Sequence, residues 1–467
     1  MTQIPVRNPH TGDIDYSFAE PTKSELASKI SRLRENQLDW SSLQVSDRGE
    51  ILRQFADGLA RHKDQLAQAL CIDTGRWRLS VMEVDALEAI THSRVNQAIV
   101  ALQTKRMESE SIDISHLQVF VPYPVVGVIS PWNYPLILSF LDAVPALLAG
   151  CSVIIKPSEV TPRFIEAVNQ VLSDTVELGA VVDVVPGTAS TGNNLIDLVD
   201  AINFTGSVET GRQVATRAAN QLKPAFLELG GKDPAIVLES ADIERAAQAI
   251  LHCATVNTGQ ACFSIERVYV HEALATKFID LISSLAEEIS LNTEDPAKGA
   301  IGPIISAKQI QVIDLHLKDA RNKKASFLTG GIIEHHGGSW LRPTVVTDVD
   351  HSMLLMRKET FAPIIPIMTF RKTSEAVFLA NDSEYGLSAA VFGDLDKSEA
   401  VALKLDAGGI YCNDVDLIGS AHESAEKMSF KNSGLGGSRY GPEGITRFTR
   451  KQSVVFQHGS GVTIDDL

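Results

Sequence analysis

The sequence predicts an α/β protein: a doubly wound parallel sheet of the nucleotide-binding type, a second α/β unit that would carry the chemistry, and a small β arm. Three observations lead there. Between Val125 and Gly206 short apolar runs (VVGVI, SVIIKP, VVDVVPG, AINFTG) alternate with helical stretches (LILSFLDAVPALLAG, FIEAVNQVLSDTVELG), the pattern of right-handed βαβ units. A second alternating set follows, with AIVL, RVYVH, FLTGG, IIPIMTF, SAAVFGD and GGIYCN as strands, and with helices from Asp242 and near 273–289. Ahead of both, SIDISHLQVFVPYPVVGVIS alternates polar and apolar residues around prolines, which suits an exposed arm leading into a core strand.

The remaining elements read in the same way. From Lys23 to about Gln103, apolar positions such as Ile51, Leu52, Phe55, Leu59, Leu66 and Leu70 recur at helical spacing, giving a helical prelude. The tail segment TRKQSVVFQ has strand character. The absence of a repeat, a low-complexity tract or a proline-rich linker makes the units share a broad interface.

Composition narrows the function. The 467 residues carry 42 basic and 58 acidic side chains, a net charge of −16, with 44% hydrophobic and 21% charged residues, the profile of a folded globular chain. Without clustered Lys and Arg to displace counterions, a nucleic-acid partner is not expected, although helix N-termini can still hold a dinucleotide's phosphates. No stretch approaches 18 uninterrupted apolar residues and MTQIPVRNPHTGDID lacks the pattern of a signal peptide, so neither membrane insertion nor secretion is expected. The five cysteines (71, 151, 253, 262, 412) are odd in number and scattered, without a CxxC pair. That disfavours disulfides and a metal site and fits the reducing cytoplasm.

The most informative segment is DIERAAQAILHCATVNTGQACFS. Its apolar positions share one helical face, the helix should end before Asn257-Thr258-Gly259, and Cys262 therefore sits on a loop. A thiol beside a turn rich in N–H donors can ionise and attack a carbonyl, whereas Cys253 lies inside the helix as a small hydrophobe. Taken singly, Cys262 reads first as buried packing, and only its context favours chemistry. Glu228, at the end of an apolar run before Gly230-Gly231, reads as a surface or capping carboxylate or as an activator of water.

Six motifs in this order, PWNYP, KPSE, FTGS, ELGGK, GQACFS and ETFAPI, together resemble the aldehyde dehydrogenase superfamily over effectively the whole chain. The resemblance implies a thiolate that adds to an aldehyde, hydride transfer to NAD(P)+ and hydrolysis of a thioester. It assigns Cys262 as nucleophile, Glu228 as the base that activates water, and Asn133 as an oxyanion donor alongside the Cys262 N–H. For the cofactor it implies Trp132, the ribose pair Lys156 and Glu159, Gly187 in a nucleotide-side turn, Gly206 and Ser207 at the diphosphate, and Glu359 and Phe361 at the nicotinamide end. A carboxylate at Glu159 should repel a 2′-phosphate, so NAD is favoured, with NADP possible. The matched segments divide the chain into a dinucleotide-binding domain (1–103 and 123–229), a thiol domain (230–425) and an oligomerisation arm (104–122 and 445–467).

Around the thiol, Tyr134, Leu138 and Leu141 at helical spacing, with Ala261 and Phe263 beside the nucleophile, predict an apolar or aromatic tunnel. An uncharged aliphatic or aromatic aldehyde is therefore expected over a dicarboxylic semialdehyde. A CoA-acylating enzyme is the enzymatic alternative, which Glu228 argues against; a protein that keeps the fold without the chemistry is the other. In place of a PFGG-like stretch stands SAHESAEKMSFKNSGLGGSRYG, keeping Lys431, Ser433, Gly434 and Gly436 with altered residues before them. The arm and the final strand look like edges that need partners, so a homodimer or homotetramer is expected.

Overall fold

The computed structural model describes residues 3–108, 113–415, 417, 424–461 and 464. Part of the arm (109–112) and the first four residues of the altered SAHESAEKMSF stretch (420–423) lie outside the described residues.

The first sheet forms because VVGVI, SVIIK and AINFT are apolar on both faces, as strands covered on both sides by helices must be. Its order is β21-β9-β8-β5-β6-β7, with β5 Val125–Ile129, β6 Ser152–Lys156, β7 Val182–Val184, β8 Ala201–Thr205 and β9 Ala225–Glu228 parallel. Only β21, Gly434–Leu435, runs antiparallel, beside β9. From β5 the chain winds outward through β6 and β7, then returns to β5's other side as β8 and β9, which makes the sheet doubly wound. The helical prelude consists of four helices, α1 Lys23–Ser42, α2 Val45–Arg61, α3 Lys63–Thr74 and α4 Trp77–Ala101. It is preceded by a hairpin, β1 Gln3–Arg7 with β2 Ile14–Ala19, whose alternation is too short to stand out in the sequence.

The second sheet has seven strands in the order β12-β15-β16-β11-β10-β18-β19. Its centre is β10 Asp233–Val237 and β11 Ile265–His271, flanked by β16 Ile364–Phe370 and β18 Ser388–Phe392, with β15 Thr344–Thr347 beyond β16 and β19 Gly409–Cys412 beyond β18. The FLTGG strand is nearly absent: pairing is confined to β12, Ser326–Phe327, because Gly330 and Gly331 take positive φ and turn the chain away. The arm strands β3 Lys105–Glu108 and β4 Ile114–Pro122 pair with the tail strand β22 Thr449–Gln457 of the same chain. The open edge that the sequence left on β4 is therefore covered from within.

Candidate active site

The two directions of winding in the first sheet part between β5 and β8, and the crevice beyond their carboxyl ends is where an open α/β sheet takes a ligand. Pro131-Trp132-Asn133 follows β5, Gly206-Ser207 follows β8, and Glu228 closes β9. One cavity there is lined by Trp132, Asn133, Leu138, Gly206, Ser207, Glu228, Cys262, Glu359 and Phe361, so residues spread over some 230 positions converge on it.

Asn133 is fixed from several sides. Its Nδ2 donates to the Gln260 carbonyl at 3.0 Å, leaving the second amide proton for another acceptor. Its own carbonyl accepts from Asn257 Nδ2 at 2.9 Å and from the Arg76 guanidinium. Arg76 pairs at 3.1 Å with the fully buried Glu83, which also accepts the Leu136 and Ile137 N–H groups at 3.1 and 3.2 Å where the next helix, Pro135–Phe140, begins. Burial pushes the Glu83 carboxyl up to about 7, against the pull of Arg76.

Cys262 follows the helix Ile243–Thr255, which Asp242 caps by accepting two N–H bonds. The helix ends where predicted, but three successive residues, Asn257 (φ 53), Thr258 (φ 58) and Gly259 (φ 67), then adopt left-handed backbone. Only glycine fits the third position, since a Cβ there would lie 2.3 Å from the Ala362 carbonyl carbon. For the other two the conformation costs about 1–2 kcal/mol each. It is held by the Asn257 amide, bonded to the carbonyls of Asn133 and Gln260, and by the Gln260 amide, bonded to Asn257, Pro303 and Ile305. The result is a sharp turn that presents a half-buried thiol. Burial pushes that thiol up to about 12, with Asp233 and Glu359 adding to the effect and Lys427 and Arg439 opposing it. Cys253 is buried with its Sγ on the Phe263 carbonyl at 3.3 Å.

Glu228 lies between two strand neighbours, paired with Thr205 of β8 and Gly434 of β21. Ser429 Oγ donates to its Oε2 at 2.8 Å. The altered stretch thus covers the edge of the Glu228 strand. Ser433 Oγ accepts the Gly386 N–H at 3.0 Å and donates to the Gly230 carbonyl at 2.7 Å. Gly436 turns at φ +100, and Lys431 donates to the Asn381 and Ser383 carbonyls.

A larger groove of about 770 Å³ continues from this cavity along the sheet's carboxyl edge and includes Trp132, Lys156, Glu159, Gly206, Ser207 and Glu359. Lys156 is buried at the end of β6, 3.4 Å from the Glu159 carboxylate; burial lowers its pKa and Glu159 opposes the shift. Ser207 caps the helix Val208–Ala219, whose free N–H groups open toward the groove. The Glu359 carboxylate accepts the Gly231 N–H at 3.0 Å and closes on Gly230, where a Cβ would lie 2.5 Å from it. Burial, then the charge of Glu266, pushes Glu359 up to about 8. The Phe361 ring meets Trp132 edge to face, 5.5 Å between centroids. Gly187 is apart from these residues: it packs on Thr191, which a Cβ would approach to 2.5 Å, and does not line the groove.

On the other side of the thiol a cavity of about 540 Å³ is lined by Tyr134, Leu138, Leu141 and Phe263 together with Asn133 and Cys262. Ala261 is buried and does not line it. Arg439, not singled out in the sequence, does: its Nε and Nη2 are held by the fully buried Asp142, which also binds Arg447, and Nη2 donates to the Thr205 hydroxyl as well. Arg76, Glu83, Asn257, Gln260 and Ser429 were also missed. Of these, Gln260 alone carried a signal, by its place inside GQACFS.

The chain matches the aldehyde dehydrogenase family over residues 1–454. It is 34% identical over 456 residues, 96% of this chain and 88% of the other, to the "Putative succinate-semialdehyde dehydrogenase (NADP+)" of Mycolicibacterium smegmatis. Among solved structures it is similar to the "Putative Aldehyde Dehydrogenase PutA" of Anabaena variabilis (TM-score 0.97, 47% identity, 99% of each chain). It is also similar to the betaine aldehyde dehydrogenase of Staphylococcus aureus in complex with NAD+ (TM-score 0.91, 29% identity, 99% of this chain and 93% of that one). A parallel-sheet crevice with a thiol, a carboxylate and an amide around one cavity, matched along nearly its whole length, identifies the chain as a member of the aldehyde dehydrogenase family.

Proposed function

We propose that the protein oxidises an aldehyde to the carboxylic acid with NAD(P)+ through a covalent bond to Cys262. The observation that carries this reading is the single cavity shared by Cys262, Glu228, Asn133, Glu359 and Phe361. The groove suits a dinucleotide: a helix start for the diphosphate, Lys156 with Glu159 for the adenosine ribose, and Glu359 for the nicotinamide ribose. When bound, the cofactor supplies the acceptor for the hydride that leaves the substrate carbon. A carboxylate at Glu159 disfavours a 2′-phosphate, so NAD is the preferred form; the relatives named above include both an NADP+ and an NAD+ protein. In this division of labour residues 1–103 and 123–229 hold the cofactor and 230–425 supply the thiol.

Cys262 loses its proton and its sulfur adds to the aldehyde carbon. Charge then develops on the aldehyde oxygen, which accepts from the free Nδ2 proton of Asn133 and from the Cys262 N–H. Because these donors are neutral and already oriented, they favour the charged state over the substrate; one such donor is worth about 10²–10³ in turnover. After oxidation Glu228 takes a proton from water, which attacks the thioester and releases the acid and the thiol.

The apolar walls, Tyr134, Leu138, Leu141 and Phe263, support an uncharged aliphatic or aromatic aldehyde. A second reading, a semialdehyde with a terminal carboxylate, is favoured by the Arg439 guanidinium in the lining of that cavity. Turnover of succinic semialdehyde against neutral aldehydes of equal length separates them: selective use of the former, abolished in Arg439→Lys, overturns the first reading. Cys262→Ser is expected to cut oxidation by about three orders of magnitude or more. Glu228→Gln is expected to leave an acyl adduct on Cys262 that intact mass spectrometry detects. Acyl-CoA in place of acid, when CoA is supplied, would point to the acylating alternative.

A further inference from the structure

Two buried charged residues stand outside the roles assigned so far. Lys232 lies four residues after Glu228 and Glu266 four residues after Cys262, and both are almost fully buried. Their side chains meet at 2.5 Å. Glu266 has two further partners, both backbone: its Oε2 accepts the Thr360 N–H at 2.7 Å and its Oε1 the Phe361 N–H at 2.8 Å. Lys232 Nζ also donates to Thr360 Oγ1 at 3.1 Å. An ammonium has no lone pair, so the Thr360 hydroxyl accepts from Lys232 and keeps its own proton to give. His316 Nδ1, 3.1 Å away, can take it, and burial and Lys232 keep that imidazole neutral, at about 4.

These bonds converge on the segment Glu359-Thr360-Phe361, and its backbone has reason to need them. Phe361 has φ 54, left-handed backbone that an aromatic residue adopts only under constraint. The segment precedes β16, so no strand ladder holds the two amides. Glu359 and Phe361 project from it into the cavity. A carboxylate accepting two consecutive N–H groups orients the peptide between them, and a buried ammonium fixes the carboxylate in turn.

We propose that Glu266, braced by Lys232, is a positioning residue that sets the Glu359–Phe361 segment for the cofactor's nicotinamide end. The inference rests on the assignment of Glu359 and Phe361 to that end. Neither residue touches the reacting atoms.

The test is cofactor affinity, read by titration with NADH fluorescence on the full-length enzyme without aldehyde. Glu266→Gln leaves Lys232 buried without its counter-charge, so the paired variant Lys232→Met/Glu266→Met, which removes both charges and keeps the volume, guards against failure to fold. The expected result is a cofactor Kd raised tenfold or more in the folded variant. The rate of iodoacetamide alkylation of Cys262 in the cofactor-free enzyme should stay within twofold, because neither side chain lines the two cavities onto which that thiol opens. Hydrogen exchange of the wild type supplies a readout that needs no variant: the Thr360 and Phe361 amides are expected to be protected although they lie outside any strand or helix. An unchanged Kd in the folded double variant, or rapid exchange of both amides, overturns the inference. Glu359→Gln separates the two levels. If it too leaves Kd unchanged, the assignment of Glu359 to the cofactor is at fault; if it alone weakens binding, the clamp is.

Discussion

At the scale of single residues, two carboxyl and thiol groups in the site sit far from their ordinary ionisation, and burial is the leading cause for both. Cys262 is pushed up to about 12, so in the cofactor-free enzyme the thiol is protonated at neutral pH. Its alkylation by iodoacetamide is expected to be slow at pH 7 and to keep rising through pH 9 without a plateau, since only the thiolate reacts. A plateau below pH 8 in the free enzyme would contradict that. Glu359, at about 8, is also largely protonated at pH 7, whereas the role proposed for it, accepting from two ribose hydroxyls, is served best by the ionised carboxylate. Cofactor affinity is therefore expected to strengthen as pH rises from 6 to 8 and to level off above. Glu359→Gln should remove that dependence, which calorimetry at a series of pH values would show.

At the scale of elements, the loops at the strand ends are stapled by ion pairs from distant parts of the chain. Asp142 is the clearest case: fully buried, it is bonded to Arg439, Arg447 and Asn203, and the two guanidinium groups hold its pKa below the usual carboxylate value against the effect of burial. Asp142→Ala leaves two buried cations facing each other and should cost about 3–5 kcal/mol in urea unfolding. Because the folded pKa is depressed, the contribution of Asp142 is present at neutral pH and lost as pH falls below about 4. These staples explain what the sequence concealed. Strands such as VVGVI were legible because burial on both faces leaves an unbroken apolar run; Cys262 and Glu228 stand where such patterns break, but only the six motifs together single them out. Pairs such as Arg76–Glu83, Lys232–Glu266 and Asp142–Arg439 have no local signature: each member alone reads as a solvated charge, and only the fold brings them together. FLTGG misled for the opposite reason, since its apolar start is local while its glycines decide the turn.

At the scale of the whole molecule, the arm and tail form a three-stranded sheet in the order β22-β4-β3, whose outer strands are largely exposed. The proposed homo-oligomer would use those edges, and Val455, an apolar side chain left 63% exposed, is suited to an interface. Sedimentation at micromolar concentration is expected to give a dimer or tetramer, and removal of residues 449–467 a monomer; a wild-type monomer would exclude the assembly.

The pairing of β22 with β4 also orders events in time. Arg450 reaches the carbonyl of Pro122, 328 positions earlier in the chain, and β21, about fifteen residues before Arg450, settles beside the Glu228 strand. A ribosome thus emits the nucleotide crevice and the thiol loop long before the segments that complete them. A chain cut short before Ser429 would therefore carry the Cys262 loop while the Glu228 carboxylate lacked its Ser429 partner and the edge of its strand lay uncovered.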